Sequence, residues 1–415
     1  MFAKRLLCLI LPVCLSVWPA LSPAQNNHLS AHASAIHNSA IVIDTHEDTP
    51  QRFLDENYDI GPTDPNDLDF ISLDKARAGN LGALFFSICV DAKTDQGHVA
   101  KRAFDLIDSV YGQAARHPDR MVMSFCAQDI ERADQQHKMA ALLGIEGGYA
   151  IESDLRLLRD FYRLGVRYMT LTQVETNEWA DSSGDINNPA VPHHNGLTDF
   201  GKHVVLEMNR LGMMVDVSHV SDKTFWDVIA VTKAPIIASH SSARALRDSP
   251  RNLSDDMLRA IATNGGVVNV NFAGNFLDEE FNQGAYSQHQ RLLAAVRDYN
   301  ARRGTVAQPV PPEEAQRFSL EWLDKNKIPR PPLKSLIDHI DHVAKIAGVD
   351  HVGLGSDFNG ANFFPLGMDS AADLPKITQA LLDRGYRPDD IKKILGGNML
   401  RVLRDVERAS RRLTN

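Results

Sequence analysis

Cysteine is scarce in this chain. It has four among 415 residues. Cys8 and Cys14 fall inside an N-terminal apolar stretch, which leaves Cys89 and Cys126. A disulfide-stapled scaffold is excluded, although one bridge is open to an exported protein. Long runs of lysine or arginine are also missing, and the formal net charge is −9. Nucleic acid is therefore not an expected partner. After residue 24 there is no apolar run long enough to span a bilayer, no heptad repeat and no short repeat. Arg404–Asn415 is polar, so no hydrophobic tail for a lipid anchor follows. What remains is globular in composition, with 43% apolar and 23% charged residues.

Residues 1–24 read as a secretory signal peptide. Lys4 and Arg5 precede the apolar stretch Leu6–Val17, and Ser22-Pro23-Ala24 offers small residues for cleavage. Pro12 interrupts a stretch already short for a membrane anchor. Export to a periplasm or to the medium is expected. Residues 25–415 are then a single domain.

Short apolar runs alternate with amphipathic stretches. The runs are Ile41–Asp44, Ala83–Val90, Ala140–Ile145, Tyr168–Thr172, Met213–Val217, Pro235–Ala238, Val267–Val270 and His351–Gly355. Their length suits strands buried on both faces. Helices are predicted at Ser153–Leu164, Thr198–Leu211, Ser221–Val231, Ser254–Asn264 and Pro332–Ala347, from capping hydroxyls and terminating glycines. Eight strands alternating with helices point to an α/β fold, a (β/α)8 TIM-like barrel. A doubly wound open sheet is the alternative. Phe276–Pro331 is too long for a barrel connection, so residues 276–331 read as an insertion between strands 7 and 8. An active-site cover is its expected role, because loops at that end carry function.

In such a barrel, reactive groups sit at the C-terminal strand ends. His46 and Asp48 follow the first strand, and on an extended backbone they point to the same side. Glu146 ends the third, His219 the fifth, His240 the sixth and Asp357 the eighth. Five strand ends thus offer metal-capable or proton-transferring side chains. Three imidazoles with several carboxylates exceed the needs of one zinc ion. A carboxylate can bridge two ions, and such pairs polarise carbonyls and activate water. The predicted site is hydrolytic and binuclear. His193-His194 and the helical pair His339 and His342 read instead as surface residues.

These motifs resemble the membrane (renal) dipeptidase family. The resemblance is carried by His46-x-Asp48, Gly144-Ile145-Glu146-Gly147, Tyr168-Met169-Thr170-Leu171-Thr172, Trp179-Ala180-Asp181, Asp216-Val217-Ser218-His219, Ser239-His240-Ser241, Arg251-Asn252 and Asp350–Phe358. It implies two Zn²⁺ per chain. His46, Asp48 and Glu146 would hold one, Glu146, His219 and His240 the other, with Glu146 as the bridge. Asp357 would move protons, and Arg251 would receive a substrate carboxylate. A homodimer is implied as well. Gln173 stands where the family commonly has a substrate-contacting histidine, and Asn359 where aspartate is common. The expected activity is zinc-dependent dipeptide hydrolysis. A metallo-amidohydrolase acting on another acid-terminated amide, such as an N-acyl or D-amino-acid substrate, is one alternative. A metal-loaded binding protein of low activity is the other.

Overall fold

The computed structural model describes residues 29–414, except 63–69, 93–94, 96, 362 and most of 280–329. The expected leader and most of the expected 276–331 insertion lie outside the described residues.

Nine parallel strands make one sheet. They are β1 (Val42–Glu47), β2 (Leu81–Cys89), β3 (Met121–Met123), β4 (Met139–Glu146), β5 (Val166–Thr170), β6 (Met214–Asp216), β7 (Ile237–Ala238), β8 (Val267–Asn271) and β9 (Val352–Gly355). Pairing of β2 with β4 closes eight of them into a barrel. The ninth, β3, pairs only with the first residues of β4, along the edge that β5 takes further up. The barrel agrees with the sequence expectation, and each of the eight expected runs carries one barrel strand. The extra strand escaped notice because three residues carry no readable period.

Two apolar layers follow from the period-2 alternation of side chains. Ile43, Ala83, Phe85, Ala140, Leu142, Tyr168, Met214, Ile237 and Val267 pack inside the barrel. Leu84, Phe86, Leu143, Ile145 and Val215 face the surrounding helices. Thr198, Ser221 and Ser254 each cap a helix by accepting a backbone N–H, as expected. Ser153 does not act as a cap. The helix it was expected to start is Leu155–Arg163, and the Asp154 carboxylate accepts the Arg156 N–H there. Gly144 faces the barrel interior, and its missing side chain makes room for the Tyr168 ring. Among the described residues, no helix is long and apolar enough to cross a membrane.

His339 is not a surface residue. It is fully buried, with Nδ1 accepting the Ala243 N–H at 3.0 Å and Nε2 2.9 Å from the Leu277 carbonyl. Those partners fix a neutral ring that donates from Nε2. Burial is the main cause that pushes its pKa from 6.5 down to about 4. A depressed folded pKa means that the unfolded chain binds the proton first as pH falls. The stabilisation is complete above pH 6.5 and is lost as pH drops towards 4, by about 3 kcal/mol at most. Urea midpoints measured across that window should fall for the native chain, and the slope should flatten in His339→Gln. His342 is half-buried and lies 2.7 Å from Asp255.

Candidate metal centre

The C-terminal ends of β1, β4, β6, β7 and β9 bring His46, Asp48, Glu146, His219, His240 and Asp357 to one mouth of the barrel. The chain makes unusual turns to do this. His219 and Asp357 have φ values of 65° and 64°, a left-handed conformation rare outside glycine. Such strain is kept where surrounding structure enforces it, and it clusters at functional sites. The Asp357 N–H donates to the His46 carbonyl at 2.9 Å, and the Ser183 N–H to the His219 carbonyl at 2.7 Å. Gly360 passes beneath the two aspartates. A side chain there would run into Asp48 Oδ2 and Asp357 Oδ1.

Glu146 lies at the centre. Its Oε2 is 3.7 Å from His46 Nε2, while its Oε1 is 2.9 Å from His219 Nε2 and 3.4 Å from His240 Nε2. His46 Nε2 also lies 3.6 Å from Asp48 Oδ2. The His219 and His240 Nε2 atoms are 3.0 Å apart, and the His46 and His240 rings stack at 3.6 Å. His46 Nε2 and Asp48 Oδ1 are buried without a hydrogen-bond partner. Buried polar atoms are seldom left so. Donor atoms sufficient for a cation converge in three overlapping sets: His46, Glu146 and His240; His46, Asp48 and Asp357; Asp48, Cys89 and Glu146. Imidazole and carboxylate donors of this kind suit zinc and its neighbours. The residues therefore fit a metal.

The electrostatics agree. Burial alone would raise the Glu146 pKa, but His46, His219 and His240 hold it well below the usual carboxylate range. Burial works to lower the His46 pKa, and Glu146 and Asp48 override it to reach about 10. His219 is pushed down to about 4 by burial and then by Arg251. His240 falls well below its ordinary value through burial, His46 and Arg251. Burial lifts Asp357 to about 7. Two of the three imidazoles are thus held neutral, the form a metal requires.

Groups behind the cluster fix its orientation. The Tyr168 hydroxyl lies 2.9 Å from His46 Nδ1. The Ser239 hydroxyl lies 2.7 Å from His240 Nδ1 and donates to Asp216 Oδ2 at 2.5 Å. Thr170 donates to the same Asp216 oxygen at 2.5 Å. Asn271 Nδ2 donates to Asp357 Oδ2 at 2.9 Å. None of these was singled out from sequence as an orienting group, and neither was Cys89 as a neighbour of the carboxylates. Each depends on cross-strand register. Cys89 had one legible signal: it extends the inward row Ala83, Phe85, Ser87 by a step of two.

Arg251 lies beside the cluster. Its guanidinium donates to the His240 carbonyl at 2.7 Å and to Ser241 Oγ at 2.6 Å, and its Nε is buried without a partner. Gln173 is half-buried, and its Oε1 accepts the Val174 N–H at 2.6 Å. The Tyr149 hydroxyl lies 3.5 Å from the same oxygen. Among the described residues, no hydrogen bond joins Gln173 directly to the cluster. Asn359 donates to Thr49 Oγ1 at 2.8 Å. Cys89 and Cys126 are both free thiols.

Comparison with known proteins points the same way. The sequence profile of the family described as "Membrane dipeptidase (Peptidase family M19)" matches residues 30–415. Dipeptidase 3 of Homo sapiens is 33% identical over 384 residues, covering 92% of this chain and 68% of that protein. Dipeptidase aclJ of Aspergillus oryzae is 33% identical over 353 residues, covering 83% of this chain and 72% of that protein. Among solved structures, the probable dipeptidase PvdM from Pseudomonas aeruginosa superposes with a TM-score of 0.74 at 27% identity, covering 91% of this chain and 98% of that one.

Proposed function

The chain belongs to the membrane dipeptidase family, peptidase family M19, and from that premise we propose that it is an exported, binuclear zinc dipeptidase acting on dipeptides with a free C-terminal carboxylate. It is a metal-dependent peptide hydrolase by membership of that family. The observation that carries the finer reading is Glu146. One of its oxygens faces His46, and the other faces His219 and His240. His46, Asp48 and Glu146 would hold one ion, and Glu146, His219 and His240 the other. When bound, such a pair supplies Lewis acidity, which polarises a carbonyl and makes water nucleophilic near neutral pH. A cation held there would take the place of the proton that Glu146 and Asp48 favour on His46.

The remaining work falls to the protein's own groups. Arg251 receives the substrate's terminal carboxylate, since its planar fork matches a carboxylate and its Nε has no protein partner. Asp357 takes the proton from the attacking water and gives it to the departing amine. Asn271 holds that carboxylate by Oδ2, leaving Oδ1 for transfer. Tyr168 and the Ser239–Asp216 pair keep the imidazoles of His46 and His240 from turning. Gln173, at the edge of the mouth, offers an amide hydrogen bond to the substrate where the family commonly places histidine. Residues 1–24 supply the export signal, and the working form is a homodimer.

A second reading keeps the centre and changes the amide to an N-acyl or D-amino-acid substrate. Arg251 favours it equally, because it selects an acid terminus and nothing more. A panel of dipeptides with L and D second residues decides between them. Chelation should abolish hydrolysis and zinc should restore it. Amidating the substrate terminus should lower kcat/KM about 10- to 150-fold, the scale of a lost charged hydrogen bond. Unchanged hydrolysis after complete metal removal would overturn the reading.

A further inference from the structure

The hydrolysis described above makes no use of Cys89. Its placement is nonetheless that of a ligand. On β2 the side chains of Ala83, Phe85, Ser87 and Cys89 form one row into the barrel, because alternate residues of a strand share a face. On β4 the corresponding row is Ala140, Leu142, Gly144 and Glu146. The two strands pair in parallel with Ser87 opposite Gly144 and Cys89 opposite Glu146. Cys89 and Glu146 therefore occupy the same uppermost layer, side by side. The Cys89 sulfur and one oxygen each of Asp48 and Glu146 lie within 4.8 Å of one another. Asp48 Oδ1 is buried and has no partner, as is the neighbouring His46 Nε2. A thiol and two carboxylates thus meet at one side of the cluster, and one of those carboxylates has an unpartnered buried oxygen.

We infer that Cys89 is a further metal ligand, a thiolate that joins Asp48 and Glu146 in holding the ion assigned to His46, Asp48 and Glu146. The inference rests on the binuclear reading and adds sulfur to it. On loading, the thiol releases its proton to solvent and the sulfur takes a coordination bond. The chemical consequence is selectivity. A site of nitrogen and oxygen donors accepts manganese and magnesium readily, whereas a thiolate shifts preference towards zinc, cobalt and cadmium.

X-ray absorption at the zinc edge tests this on the full-length protein loaded with two equivalents of zinc. A sulfur shell at about 2.3 Å is expected. It should persist in Cys126→Ala and vanish in Cys89→Ser. Losing even a group that only orients a ligand commonly costs 10- to 100-fold in metal affinity, so losing a ligand itself in Cys89→Ser should weaken one of the two sites by about tenfold or more. The cobalt-substituted protein should show a near-ultraviolet thiolate-to-cobalt band that Cys89→Ser lacks. If Cys89→Ser fails to fold, the native chain and Cys126→Ala still decide the matter through the sulfur shell. Stoichiometric zinc with nitrogen and oxygen neighbours alone overturns the Cys89 assignment and leaves the hydrolytic centre standing. A chain that takes up no zinc overturns both.

Discussion

Glu146→Gln should lose both its bound metal and its dipeptide hydrolysis. The carboxylate is buried, and its two oxygens face the nitrogens of different imidazoles. Glutamine keeps the size but offers one oxygen. Its NH2 group can only donate, so one of the two clusters would face a donor in place of an acceptor. The negative charge that offsets positive charge at the centre is lost as well. Lewis-acid stabilisation is worth several kcal/mol, so the rate should fall by at least about 10³-fold. Metal analysis of the purified variant and its kcat under saturating zinc would check this. A variant within tenfold of the native rate, with two zinc ions still bound, would remove Glu146 from the centre.

Asp357→Asn should separate chemistry from metal binding. Asparagine tolerates the left-handed backbone that this position demands, so the turn should survive. Its amide oxygen can still accept the Asn271 N–H that Asp357 Oδ2 accepts. What it cannot do is carry a proton. Loss of a general acid–base group typically costs about 10²- to 10⁴-fold, and the whole loss should appear in kcat. Zinc content should be unchanged, and KM should move little. A variant that retains kcat within tenfold would assign proton transfer to another group.

The architecture was legible because its signals are local. Eight apolar runs, five of them followed by a helical stretch with recognisable ends, need no knowledge of contacts. The strand-end residues were legible for the same reason, since His46, Glu146, His219, His240 and Asp357 each end an apolar run. What was hidden depends on which strand neighbours which. Tyr168 reads as an ordinary strand aromatic until Gly144 opens the space that lets its hydroxyl reach His46. Asp216 reads as part of a motif until β7 brings Ser239 against it. His339 reads as solvent-facing because it sits on a helix far from the strand ends. Its true partners, Ala243 and Leu277, are 96 and 62 residues away in sequence. Cys89 sits inside an apolar strand-like run, and no local feature shows that its row ends beside two carboxylates.

The tie between Arg251 and the His240 carbonyl has a consequence for which bond is cut. On the proposed reading, the group that grips the end of the peptide is fastened to the backbone of a residue at the cutting centre. The gap between grip and blade is therefore built into one loop and cannot stretch. A molecule with one residue beyond the cleaved bond spans that gap, and one with two overshoots it. The loop would then act as a ruler, and a longer peptide could be cut only at its last bond.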